Sequence, residues 1–449
     1  MLKRALLLTG VLGLVAPGLA LAQVHEFTLA NGMKVLVKED RRAPVVVSQV
    51  WYKVGSSYEH NGITGVSHVL EHMMFKGTEK HGPGEFSRII AEHGGSENAF
   101  TGADYTAYFQ QLEKSRLAIS FELEADRMRN LTLPEEEFKK EVAVVMEERR
   151  LRTEDKPTSL TREQFYAAAF VTSPYHHPII GWMNDLENLT VADLRNWYRR
   201  WYAPNNATLV VVGDVDAGQV LALAKQYFES LPVDDITPAK PRLEIEQRGP
   251  RRIVVRAPAK LPYLLMGYKV PVLTTASEDW EPYALEVLAG VLSGSGSARL
   301  PRELVREQQV AASADASYDL YSRLADIFVF DAIPAEGHRV EEVERAWQAQ
   351  VQRLKTSLVG DDELARIKAQ VVADKIYEQD SVFYQAMQMG ILETVGLGWQ
   401  RLEEYPARIR AVTAAQVQAV AEKYLVDDQL TIAVLEPLPL DGKQQPAEH

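Results

Sequence analysis

The chain has 449 residues, no cysteine and a formal net charge of −13 at pH 7. Without a thiol there is no disulfide, no lipid carried on sulfur, and no thiolate for a metal, which must then be bound by nitrogen and oxygen. The excess of carboxylates argues against a nucleic-acid-binding protein, because phosphates are neutralised by Lys and Arg.

The first element is an export signal. Lys3 and Arg4 precede an apolar run ending in Ala20-Leu21-Ala22. Residues 1–22 are therefore expected to be cleaved before Gln23, leaving an exported protein with no stable membrane anchor, since the run is short and broken by Pro17. FTLANGMKVLVKED then carries Asn31-Gly32 between two β-rich runs, a hairpin signal. VVVSQVWYKVG reads as a buried strand, and GVSHVLEHMMFKGTEK (65–80) as a helix. FSRIIAEHGG is a helix closed by glycines, and SENAFTGADYTAYFQQL two short strands around a turn. Residues 115–131 and 134–152 read as helices, the second opening at Pro134.

A helix–strand pair at 193–215 recurs at 416–438, with Tyr424 set against Tyr202 and TIAVLEP against LVVVGDV. The spacing is too long for a solenoid and implies duplication of a whole domain. The expected fold is α+β, with related domains over 23–231 and 251–437. A Pro-rich, charged linker (232–250) joins them, and 438–449 forms a disordered tail.

Chemistry concentrates in the helix over 65–80. With His68 at zero on a helical wheel, His72 falls at about 40° and Glu71 at about −60°, opposite the apolar residues Val66, Val69, Leu70, Met73 and Met74. Buried His and Glu need partners, and one divalent cation satisfies all three. Two histidines four apart point the same way and can share an ion; a catalytic zinc takes a third protein ligand and leaves a fourth position to water. Glu71 is placed to take a proton from that water. The third ligand must come from elsewhere. In EEEFKKEVAVVMEERR, Glu141 and Glu148 are two turns apart and differ by only about 20°, on one stripe with Val144 and Val145. One of the two can bind metal while the other orients a ligand. The same donors could hold manganese or cobalt.

These segments resemble the pitrilysin and insulinase family of inverted-motif zinc peptidases, especially the branch near the mitochondrial processing peptidase. The resemblance runs through GITGVSHVLEHMMFKGTEK, GGSENAFTGADYTAYF, KKEVAVVMEERR and HHPIIGWMNDLENLTVADLRNWYRRWYAPNNATLVVVGDVD. It implies two homologous α/β sandwich domains, each a mostly antiparallel sheet covered by helices, closing as a clamshell. It implies one Zn2+ held by His68, His72 and Glu148, Glu71 as catalytic base and Glu141 behind the ligands. Asn98 and Ala99 fall on the strand along which such enzymes add an extended peptide. In the second domain Arg299 matches a substrate-holding arginine, but Ala312 stands where a tyrosine is expected, with Tyr318 and Tyr321 out of register. The resemblance therefore implies the zinc-bearing subunit of a periplasmic two-subunit endopeptidase, acting on short or unfolded peptides. Its partner would be a homologous subunit lacking HxxEH but carrying the Arg/Tyr pair. The competing expectation is a non-catalytic peptide-binding or assembly subunit of the same fold.

Other features carry less. Gly294-Ser295-Gly296 lacks the Lys of a phosphate loop and reads as a flexible lining of the cleft. His176 and His177 read as local packing, and His60, His81 and His93 lie off the motif helix.

Overall fold

The computed structural model describes residues 23–237, 240 and 242–440. The first half runs β1 (Val24–Thr28), β2 (Lys34–Glu39), β3 (Val45–Tyr52), α1 (Val66–Met73), α2 (Glu85–Glu92), β4 (Ser96–Thr101) and β5 (Thr106–Glu113). It continues with α3 (Leu117–Arg129), α4 (Glu135–Arg149), α5 (Pro157–Ala169), α6 (Met183–Asn188), α7 (Val191–Trp201), β6 (Ala207–Gly213) and α8 (Ala217–Phe228). The second half runs β7 (Arg251–Pro258), β8 (Tyr263–Val270), α9 (Trp280–Ser293), β9 (Ala311–Ser317), β10 (Asp326–Pro334) and α10 (Val340–Thr356). It ends with α11 (Asp361–Glu378), α12 (Val382–Val395), α13 (Arg401–Ala411), α14 (Ala414–Tyr424) and β11 (Leu430–Leu438).

Two sheets result, with strand orders β1-β2-β6-β3-β5-β4 and β7-β11-β8-β10-β9. Apart from the extra β1 they are the same sheet: β2 and β6 run parallel, as do β7 and β11, and every other pair is antiparallel. Among the described residues of 232–250 there is neither helix nor strand. The architecture is two related α/β sandwiches closed on each other as a clamshell.

Period-two alternation decides what each sheet face covers. Val35 and Val37 of β2 pack under helices of their own half, with Leu70, Phe121 and Phe228, whereas Leu36 faces the opposite side. There the halves exchange helices. Helix α12 of the second half lies on the first sheet, setting Ala386 and Met389 against Val47, Trp51 and Val210. Helix α5 of the first half lies on the second sheet, setting Phe165 and Phe170 against Leu265, Val329 and Leu435. Lys34 of β2 also binds Glu393 of α12 at 2.7 Å.

Three sequence expectations need correction. The repeat is out by one residue: Thr190 and Thr413 both cap their helices, α7 and α14, and counting from them sets Tyr424 against Trp201 and Leu425 against Tyr202. Apolar runs look alike in either register, whereas capping hydrogen bonds have one. Leu438 is not tail but the last residue of β11, opposite Pro258. Pro134 precedes α4 as its N-cap instead of opening it. The expected export signal (1–22) and residues 441–449 of the expected tail lie outside the described residues.

Candidate metal centre

Helix α1 starts at a cramped place. Gly65 has φ +87°, and a Cβ on it would fall 2.7 Å from Ile180 O, so only glycine fits. The first-turn N–H groups are met by a buried carboxylate: Glu59 accepts from Gly65 N at 2.7 Å and Ser67 N at 2.9 Å. Burial pushes Glu59 up to about 7 even against those hydrogen bonds. Val66, Val69, Leu70, Met73 and Met74 are buried, which leaves the polar arc on the other side, where His68 and Glu71 line a cavity between the halves.

Helix α4 faces this arc. Glu141 and Val145 are buried and Glu148 half-buried; Val144, expected on the same stripe, is 48% exposed. At 100° per residue Val144 falls on the solvent side of Glu141 and Val145 on the inner side. The structure brings the predicted donors together: one ligand atom each from His68, His72 and Glu148 lies within 4.8 Å of the others. His68 Nε2 is 3.9 Å from Glu148 Oε1 and His72 Nε2 is 3.5 Å from Oε2. Glu141 sits behind the pair, with Oε2 3.2 Å from His72 Nδ1 and Oε1 2.8 Å from Lys76 Nζ. A carboxylate there holds the Nδ1 proton and leaves the Nε2 lone pair directed at Glu148. Burial, then His72 and Arg152, push His68 down to about 3, so its imidazole is neutral at pH 7. Its Nδ1 is buried without a hydrogen-bond partner. Two imidazoles and a carboxylate converging on one point suit a divalent cation. Helix α9, which takes the place of α1 in the second half, carries no histidine, and among the described residues this donor set occurs once.

Glu71 lines the cavity with His68 and Glu148 and accepts a hydrogen bond from the Thr101 hydroxyl at the end of β4. Burial raises its pKa, against that hydrogen bond and the nearby His72. The cavity is about 760 Å³; His68, Glu71, Thr101 and Glu148 line one wall, and Tyr321 and Asp326 of the second half line another.

The predicted substrate residues are treated unevenly. Ala99 lines the cavity on β4, an edge strand that among the described residues pairs with β5 alone. The Asn98 side chain turns back onto its own backbone, accepting from Ala99 N at 2.9 Å. Arg299 does not line the cavity: it is 6% exposed and binds Glu363 through Nε at 3.0 Å and Nη2 at 2.7 Å. A buried guanidinium stays with the carboxylate that neutralises it. Ala312 is exposed on β9, and Tyr318 gives its hydroxyl to Pro271 O at 2.6 Å. Tyr321 does reach the cavity, where its buried hydroxyl has no hydrogen-bond partner. The Gly294–Gly296 loop, expected to line the cleft, lies off this cavity beside a smaller one within the second half. His176 and His177 line the main cavity, yet each is held locally, by Ser173 O at 2.7 Å and Asn61 Oδ1 at 3.0 Å. Sequence reasoning missed Thr101, Lys76 and Arg152. Arg152, 2.6 Å from Glu148 and one turn beyond it, was the one with a spacing signal.

The fold and donor set define a two-lobed protein with an inverted HxxEH motif at the lobe interface, whose His68, His72 and Glu148 could hold a metal ion. Residues 34–181 match the family described as Insulinase (Peptidase family M16), and residues 188–371 that described as Peptidase M16 inactive domain. The zinc protease PqqE of Helicobacter pylori is 34% identical over 420 residues, 92% of this chain and 93% of that protein. The uncharacterized zinc protease YmxG of Bacillus subtilis is 25% identical over 415 residues, 92% and 98% of the two chains. Among solved structures, a protease from Helicobacter pylori superimposes with a TM-score of 0.87 at 33% identity, covering 93% of this chain and all of that one (100%). An M16 inactive-domain protein from Pseudomonas fluorescens shares the fold, with a TM-score of 0.82 at 19% identity over 93% of this chain and 100% of that one. The chain belongs to the insulinase family, peptidase family M16.

Proposed function

We propose that the chain is an exported, periplasmic zinc metalloendopeptidase that hydrolyses short or unfolded peptides. The observation that carries this reading is the convergence of His68, His72 and Glu148 on one point, with Glu71 beside them on the wall of the interlobe cavity. In this reading His68, His72 and Glu148 hold one Zn2+ and Glu141 orients His72. A bound zinc supplies polarisation of the scissile carbonyl and acidification of water. Glu71 then takes a proton at its carboxylate and returns it to the leaving amine; its raised pKa suits both halves of that task. Thr101 holds the carboxylate in place. The free side of β4 offers backbone groups to an extended peptide, which passes along Ala99 toward Glu71. A cavity of about 760 Å³ admits a few residues of extended chain and not a folded domain.

We further propose a partner subunit that completes substrate binding. Arg299 is committed to Glu363, and Ala312 stands where the family pattern leads one to expect a tyrosine. Export rests on residues 1–22 alone.

The test is Glu71→Gln. The variant is expected to bind one zinc per chain, as measured by atomic emission, and to lose hydrolysis of a fluorogenic peptide by at least about a hundredfold. Hydrolysis at the wild-type rate would refute the assignment. For the partner, full turnover by the purified chain alone would refute the need for one.

A further inference from the structure

The two halves meet beside the metal centre around one buried carboxylate. Asp104 lies in the turn between β4 and β5 and is 4% exposed. Its Oδ1 accepts from Ser57 Oγ at 2.7 Å and from Arg323 Nε at 2.9 Å. Its Oδ2 accepts from the Tyr175 hydroxyl and from the Arg323 backbone N–H at 3.2 Å. The Tyr175 oxygen accepts in turn from the N–H groups of Arg323 and Leu324, each at 3.0 Å. Arg323 Nη2 donates to Ser57 Oγ at 2.7 Å, and its guanidinium lies 4.5 Å over the Tyr58 ring. Arg323 and Leu324 come from the loop between β9 and β10; the groups that receive them belong to the first half.

The turn gripped in this way carries Thr101, the residue that donates to Glu71. It has little freedom to absorb a displacement. Gly102 N–H donates to Tyr105 O at 2.8 Å, while Ser56 and Ser57 donate to the carbonyls of Gly102 and Ala103 at 3.2 and 2.8 Å. Gly55 packs so tightly that a Cβ on it would fall 2.3 Å from Gly102 O. Among the described residues Arg323 is the one cation in ion-pairing distance of Asp104. Asp319 and Asp326 line the same cavity. Withdrawing Arg323 leaves an uncompensated buried carboxylate among other acids, which is strongly unfavourable and drives the turn toward water.

We propose that Arg323 is a positioning residue for the reaction. By neutralising Asp104 it sets the β4–β5 turn and, through Thr101, the orientation of the Glu71 carboxylate. The base is then in place only when the second half has closed over the site, so closure and assembly of the catalytic group are one event. The inference rests on the assignment of Glu71 as base.

The experiment is a double-mutant cycle on the zinc-loaded full chain, with Arg323→Ala, Thr101→Val and the double variant. Arg323→Ala is expected to lower kcat about tenfold or more, to change KM less than about threefold, and to leave zinc content unchanged. Thr101→Val is expected to lower kcat similarly, and the double variant to be no worse than either single one. Arg323→Lys restores a cation and is expected to recover part of kcat; it also serves if Arg323→Ala does not fold. Backbone amides of residues 101–105 are expected to exchange hydrogen about tenfold faster in Arg323→Ala than in the wild type. Multiplying losses in the double variant, a rise in KM alone, or unchanged exchange at 101–105 would each overturn the proposal. A zinc-loaded wild type that stays inactive even with the proposed partner subunit present would overturn the peptidase reading instead, and the exchange measurement would still decide the coupling.

Discussion

Gly390→Ala tests the exchange of helices between the halves. Gly390 is the point where α12 meets the first sheet, and a methyl group there would sit 2.0 Å from Trp51 Cε2 and 2.2 Å from Nε1. The indole cannot step aside. It is fully buried, its N–H is held by Gln49 Oε1 at 2.9 Å, and the rings of Phe100 and Tyr105 stand edge-on to it at 5.3 and 5.1 Å. Ordinary carbon contact is roughly 3.5 Å, so the helix must lift by about 1.5 Å, loosening Ala386 and Met389 from the sheet. Overpacking of this kind costs about 2–3 kcal/mol. Replacing a mid-helix glycine by alanine returns about 1 kcal/mol of backbone entropy. The expected net loss is therefore about 1–2 kcal/mol. It is read from the midpoint of the first urea transition, followed by tryptophan fluorescence, because a two-lobed chain need not unfold in one step. Gly296→Ala is the control: nothing lies within 4 Å of a Cβ there, and the change should stay within about 0.5 kcal/mol. A Gly390→Ala protein as stable as the wild type, or more so, would show that α12 does not sit on Trp51 in solution.

The segment between the halves makes stability pH-dependent through Glu244. Burial pushes this carboxyl up, but Lys269 at 2.6 Å and the N–H groups of Val171, Thr172 and Ser173 outweigh it and hold the pKa at about 2. A folded pKa below the unfolded one means stabilisation present above about pH 4.5 and lost as the pH falls toward about 2. Burial also pushes Lys269 below its ordinary range despite Glu244, so the pair is worth less than the carboxyl shift alone, about 2 kcal/mol. Glu244→Gln should lower the unfolding free energy obtained from urea titration by that amount at pH 7 and converge with the wild type near pH 2; a constant difference across this range would refute the linkage. At the proposed zinc site, Glu141→Ala should weaken zinc about ten- to a hundredfold in competition with a chelator, and Glu141→Gln less, because its amide oxygen can still accept from His72 Nδ1. Unchanged affinity in Glu141→Ala would mean that His72 needs no orienting partner.

Much of this molecule was legible from one dimension. The Asn31-Gly32 hairpin, the alternation in β2 and β3, and the helices around HxxEH all follow from neighbouring residues. The candidate site was legible for the same reason. His68 and His72 are one helical turn apart, Glu141 and Glu148 are two, and a helix converts such spacings into a shared face wherever it lies. That α1 and α4 then meet was expected from the resemblance, not from spacing. The repeat was recognised one residue out of register because runs of Val, Ile and Leu look alike in either alignment; the caps at Thr190 and Thr413 settled it.

What the chain alone determined, then, was everything set by local period and by residue type. That covers the polar arc on α1, the carboxylates two turns apart on α4, the absence of thiolate ligands and the duplication. Which groups meet across the lobes was decided only in three dimensions. Arg299 turned to Glu363, sixty-four positions away, and left the cavity. Arg323 crossed to Asp104, over two hundred positions distant. Thr101 came to Glu71 through the placement of an edge strand. A long cationic side chain can reach any of several carboxylates. The one it pairs with is the one that packing strips of water and leaves most in need of a counter-charge, and no spacing along the chain encodes which that will be.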